Sequence, residues 1–137
     1  MTETTLTKTI YLKASPAKVW DYLTDPDKLA TWFHKPQSPL VEGEYEMFGT
    51  ESGQKLMWGD VLVAEPFKRL EYTFSIAPMA GQSSTVKWTL EEVPGGTRLS
   101  LRHEGLPQGE EAFGLTLALD KGWDDHLARM RASLHDD

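Results

Sequence analysis

The sequence predicts an α+β fold in which an antiparallel sheet of short strands is covered by one long C-terminal helix. Leu115, Leu119, Trp123, Leu127, Met130 and Leu134 recur at three- and four-residue steps, the period of one helix face. From about Val41 to Glu104 apolar and polar residues alternate between turns marked by Gly and Pro, the period of half-buried strands. A sheet with one apolar face needs a cover, and the terminal helix supplies it.

The elements follow in order. Leu6 to Lys13 sets Leu6, Ile10 and Leu12 against Thr7, Thr9 and Lys13, a strand with one face buried whose alternation Lys8 interrupts. Ser15 then caps a helix, Pro16 takes the first position, where a missing N–H has no consequence, and Val19, Trp20 and Leu23 form its apolar face. Asp25-Pro26 repeats the signal for a second short helix with Leu29, Trp32 and Phe33 as its stripe. Pro36 and Pro39 mark a loop into Tyr45 to Phe48, and Gly49 to Gly53 turns a hairpin into Met57 to Glu65. Leu70, Tyr72 and Phe74 alternate with Glu71, Thr73 and Ser75, and Ile76 to Ser84, with Pro78 and Gly81, reads as a longer, mobile loop. Val86, Trp88 and Leu90 form the next strand, Pro94-Gly95-Gly96 turns, and Leu99, Leu101 and His103 share the inward face of the last. Gly114 and Gly122 interrupt the terminal helix at about 1 kcal/mol each relative to Ala. Close packing on the sheet and a bend at Gly122 are both readings of that interruption.

A length of 137 residues is near the commonest domain size, so residues 1–137 are expected to form one domain around one core. Lys and Arg total 14 against 21 for Asp and Glu, a formal charge of −7 with no basic stripe, which argues against nucleic acid as a partner. The chain has no cysteine, so disulfides, thiolate metal sites and cysteine nucleophiles are excluded. Met1 to Thr5 lacks a basic leader or apolar run, and no segment approaches the roughly 20 apolar residues of a membrane span, so the expected location is cytoplasmic.

Several local patterns coincide with this order of elements. Ala14-Ser15-Pro16-Ala17-Lys18-Val19-Trp20, Leu23-Thr24-Asp25-Pro26 and Trp32-Phe33 resemble the opening of the Hsp90 ATPase activator homologue (AHSA1-like) domains of the START-like, or Bet v 1-like, superfamily. Gly59-Asp60-Val61, Pro66 and Leu70-Glu71-Tyr72-Thr73-Phe74 resemble the middle strands of that family. Gly95-Gly96-Thr97-Arg98-Leu99, His103-Glu104-Gly105 and Gly122-Trp123-Asp124-Asp125-His126-Leu127 resemble its closing hairpin and helix. The resemblance implies a helix-grip fold: a curved sheet wrapped around the C-terminal helix, two short helices at one end, and a cavity between sheet and helix. Proteins of this superfamily include small-ligand carriers, cyclases, toxin-resistance proteins and the cochaperone domain that names the family.

Trp20, Met57, Tyr72, Phe74, Trp88, Leu99, Leu101, Trp123, Leu127 and Met130 are the candidate liners of such a cavity, with Met57 and Trp58 competing for the inward face. The plain alternative is that they form an ordinary core. A hollow left among them is expected to fall in the few-hundred-cubic-ångström class that takes small molecules. His103 should point inward and His126 should lie beside the helix stripe, where two imidazoles could move a proton or orient a ligand, or simply be satisfied core and rim histidines. Asp124, Asp125 and His126 are consecutive and fan apart on a helix, and His34 and His135 have no pairing spacing, so no metal site and no cofactor is expected. Asp125 and Arg129 are spaced as a surface ion pair, and Glu44 and Glu46 become site candidates only if their strand face turns inward.

The leading reading is a binding protein for a small apolar or aromatic molecule. A cyclase- or hydrolase-like enzyme using His103 or His126 and a cochaperone-like partner of an Hsp90-type chaperone are the alternatives. Ligand identity and oligomeric state are left open.

Overall fold

The computed structural model describes residues 4–79 and 81–136. Met1, Thr2 and Glu3, which carry part of the leaderless N-terminus reading, lie outside the described residues, as do Ala80 in the 76–84 loop and Asp137. Strands β1 (Thr4–Leu12), β2 (Lys35–Pro36), β3 (Gly43–Phe48), β4 (Lys55–Glu65), β5 (Arg69–Phe74), β6 (Ser84–Val93) and β7 (Gly96–Leu106) form one sheet in the order β1-β7-β6-β5-β4-β3-β2. Every strand pairing among the described residues is antiparallel. Helices α1 (Pro16–Thr24) and α2 (Pro26–Leu29) follow β1, and α3 (Phe113–Asp136) closes the chain. The arrangement is the α+β helix-grip fold, with α3 and the short helices covering one face of a curved sheet.

Local signals account for the helix starts. Ser15 Oγ accepts from the Lys18 N–H at 3.3 Å and Asp25 Oδ2 from the Lys28 N–H at 3.1 Å, each with proline in the next position. The second helix is shorter than its apolar stripe suggests. It stops at Leu29, and Trp32 and Phe33 lie past its end, held there because the Trp32 indole N–H donates to the Tyr22 carbonyl at 2.8 Å. Strand β2, two residues long, has no period by which sequence alone could detect it. Within the 76–84 segment, Ala77–Met79 forms a 3-10 turn that buries Met79, and Ser84 already belongs to β6.

The inner face of the sheet carries Leu70, Tyr72, Phe74, Val86, Trp88, Leu90, Leu99, Leu101 and His103, all buried against α1 and α3. Met57, not Trp58, takes the inward place on β4. Lys8 breaks the β1 alternation because it faces α3, where its Nζ lies 2.7 Å from Asp120 and 2.9 Å from Asp124, one helical turn apart. Burial opposes its charge, but the two carboxylates outweigh that and raise its pKa. Asp125 pairs with Lys121 at 2.7 Å, while the Arg129 guanidinium turns to His126, so the expected Asp125–Arg129 pair is replaced by two others.

At the β6–β7 hairpin, Gly96 lies against the Leu12 carbonyl of β1, where a Cβ would overlap backbone that cannot move aside. Gly96→Ala should therefore lower stability by about 1–3 kcal/mol, measured as a fall in the urea midpoint.

Candidate functional site

The helix stripe sets Trp123 under the sheet, 2 % exposed, with its ring 5.4 Å from Phe33, 5.6 Å from Trp88 and 5.9 Å from His103. An indole N–H can only donate, and Trp123 Nε1 lies 3.0 Å from His103 Nδ1, so that nitrogen is unprotonated and accepts. The remaining proton of the neutral ring sits on Nε2, which donates to Ser84 Oγ at 2.7 Å; the hydroxyl donates onward to the Phe74 carbonyl at 3.2 Å. Every polar atom in this relay is satisfied, and a proton added to Nδ1 would face the indole N–H. Burial accordingly pushes the His103 imidazole down to about 4. Both of its nitrogens are committed to the protein.

One step outward, between α3, the end of β5 and the segment after α2, lies a cleft of about 120 Å³ lined by Phe33, His34, Phe74, Ile76, Leu119, Gly122, Trp123 and His126. Its walls are mostly aromatic. His34 stacks on Phe33 with ring centroids 4.4 Å apart and stands 5.6 Å from His126. Burial, followed by the nearby His126 and Arg129 charges, pushes His34 down to about 4, so it is neutral at pH 7. His34 has no hydrogen-bond partner among the described residues. His126 Nδ1 is 2.9 Å from the Trp32 carbonyl and 2.7 Å from the Arg129 guanidinium, an acceptor and a donor that one nitrogen can satisfy only one at a time. Burial also lowers the His126 pKa, against the opposing pull of the Trp32 carbonyl.

Of the residues singled out from sequence, Phe74, Trp123 and His126 reach this cleft. His103 and Trp88 stand behind Trp123, and Tyr72 lies deeper, its hydroxyl accepting from the Trp88 indole N–H at 3.0 Å. Burial raises the Tyr72 pKa. Met57, Leu99, Leu101, Leu127 and Met130 are core residues, and Trp20 packs edge-on against Phe67 at 6.4 Å. The rings of Trp32, Trp88 and Trp123 occupy the middle, so in place of a hollow of a few hundred cubic ångströms between sheet and helix there are this cleft and a second pocket of about 160 Å³ between β1 and α3, at Lys8, Ile10 and Leu127. Glu44 and Glu46 face outward and are exposed, with no buried carboxylate in β3. Among the described residues no cluster of three or more His, Cys, Asp or Glu is placed to hold a metal.

Phe33, His34, Ile76, Leu119 and Gly122 complete the lining. Gly122 carried a signal, as an interruption of the helical pattern. Close packing does not explain it, since a Cβ there would meet nothing within 4 Å, and the same holds at Gly114. Gly122→Ala should stabilise the helix by up to about 1 kcal/mol, read from the urea midpoint, because the added methyl enters open space.

Residues 13–135 match the family model described as "Activator of Hsp90 ATPase homolog 1-like protein". No curated protein matches the sequence significantly. Among solved structures, protein MLL2253 of Mesorhizobium loti is 26 % identical with a TM-score of 0.81, covering 97 % of both chains. CalU16 of Micromonospora echinospora is 24 % identical with a TM-score of 0.77, over 96 % of this chain and 76 % of its own. The Aha1 dimer of Colwellia psychrerythraea is 20 % identical with a TM-score of 0.78, over 96 % of both chains.

Proposed function

Because the chain belongs to the Activator of Hsp90 ATPase homolog 1-like family, we propose that it is a small-molecule binding protein that holds a single-ring aromatic or similarly small apolar compound in the cleft over Trp123. The observation that carries this reading is the cleft itself, about 120 Å³ with walls of Phe33, Phe74, Ile76, Leu119 and Trp123 and an opening left by Gly122. The size sets the ligand class. A dry apolar cavity of about 150 Å³ takes benzene, whereas drug-sized ligands need about 300 Å³ or more. The expected setting is cytoplasmic, and no helix among the described residues is long and apolar enough to cross a membrane.

Thermal-shift and native mass spectrometry with benzene, toluene and phenol form the test. A ligand at about 100 times its Kd adds about 2.7 kcal/mol of stability, so a clear rise in Tm is expected for the wild type. Gly122→Leu, which fills the opening, should abolish the shift while remaining folded. Absence of any shift for all three compounds would end the reading.

The enzyme alternative loses His103 as its base, since neither ring nitrogen is available to a substrate. A cochaperone role rests on the family alone. Its test is pull-down of an Hsp90-type chaperone with an ATPase readout.

A further inference from the structure

The two edges of the sheet are treated differently. Along the β1 edge α3 lies close and closes part of it: just past the strand the Lys13 N–H donates to His135 Nε2 at 2.9 Å, and the Lys8 side chain is clamped by Asp120 and Asp124. The β3 edge is not closed in this way. Strand β2 pairs only with Phe48 and Met47, so Gly43–Glu46 has no strand neighbour on that side among the described residues. Trp58 on β4 exchanges both backbone hydrogen bonds with Ser75, at 3.0 and 3.1 Å, which turns its neighbours Met57 and Gly59 toward β3. Opposite them, Met47 and Tyr45 face β4, and the intervening Glu44 therefore directs its N–H and C=O outward.

A groove of about 290 Å³ runs along this edge, lined by Pro36, Pro39, Leu40, Val41, Glu44 and Glu46, among others. Its far wall is shaped by the two prolines and pinned by the Leu40 N–H, which donates to the Thr24 carbonyl at 3.0 Å. Edge strands are usually guarded by lysine, proline or a covering element. Here Glu42, Glu44 and Glu46 are exposed along the edge, and Asp60 stands opposite Glu44. Only Glu46 among these has a cationic partner within the described residues, Lys55 at 3.3 Å.

We propose that the β3 edge is a peptide-docking site that adds an extended, basic segment of another protein as a further strand, its backbone bonding to Glu44 and its Lys or Arg side chains meeting Glu42 and Glu44. A second copy of this chain is the wrong occupant, because a two-fold pairing of the edge would set these carboxylates against each other. Backbone bonds supply affinity in such strand addition, and side-chain charge supplies selectivity. The site is separate from the cleft over Trp123.

The probe is a fluorescent six-residue peptide alternating Lys and Val, followed by anisotropy with the full chain. Binding that weakens with added salt is expected, along with a loss of about tenfold or more on N-methylation of alternate peptide amides and a similar loss in Glu44→Lys. Glu44→Lys lies on the exposed face, and circular dichroism verifies its fold. Equal binding of the N-methylated peptide would reduce the contact to diffuse charge attraction and overturn the proposal. So would unchanged binding by Glu44→Lys, no binding at all, or self-association of the wild type through this edge in sedimentation.

Discussion

Trp123→Ala should remove about 3–5 kcal/mol of stability. A domain of this size has about 5–15 kcal/mol to lose, so the variant should be partly unfolded at modest temperature. Two effects add. The indole is buried among Phe33, Phe74, Trp88 and His126, and its removal opens a cavity that rings on three sides cannot collapse into. It is also the donor to His103 Nδ1, which would be left buried without a partner. Trp123→Phe separates the two, keeping most of the ring volume while removing the N–H, and should cost about 1–3 kcal/mol. Urea unfolding followed by circular dichroism measures both. A loss under about 1 kcal/mol in Trp123→Ala would show that the core is not organised around this side chain. If the variant folds, its enlarged cleft should accept compounds with more than one ring, which the native cleft excludes by size.

Acidification should destabilise the protein well above the carboxylate range, and His103 should carry much of the effect. Its imidazole titrates at about 4 in the folded chain against an ordinary 6.5. Below pH 6.5 the unfolded chain binds a proton that the folded chain refuses, so stability present at neutral pH is lost as pH falls toward 4 and the dependence then flattens. Between about pH 7.5 and about pH 5 the loss from this one group is about 2 kcal/mol. His34, also held down to about 4, adds to the same slope. His103→Leu isolates the contribution. It should cost about 2–4 kcal/mol at neutral pH by stranding the Trp123 N–H and leaving Ser84 Oγ with only its bond to the Phe74 carbonyl, and should then show a shallower decline with acid than the wild type. An unchanged pH slope in that variant would contradict the neutral, doubly bonded imidazole.

Much of this arrangement is legible in the residues themselves. Periodicity identifies the inward faces of β5, β6 and β7 and the buried stripe of α3, because alternation and three- to four-residue spacing are local properties of the chain. Ser15-Pro16 and Asp25-Pro26 mark both short helices for the same reason: a cap and its proline act on the next few backbone groups. His103 is placed inward by parity alone, from Leu99 and Leu101. His34 shows the limit. It has no spacing relation to His126, and the two meet only because the segment after α2 crosses over α3.

The size of the hollow was likewise beyond reach of the sequence. The same large side chains would line a cavity or fill it, and rotamer and ring orientation decide which. The unpaired state of β3 belongs to the same class, since nothing in Gly43–Glu46 reveals that its neighbour is only two residues long. The sequence by itself determined the order of the longer elements, the inward faces of β5, β6 and β7 and the family, because these depend on short-range spacing and capping. Only the tertiary structure decided the cleft over Trp123, the closed proton chain through His103 and the open edge at Glu44, because each depends on groups distant in the chain meeting at hydrogen-bonding or van der Waals range.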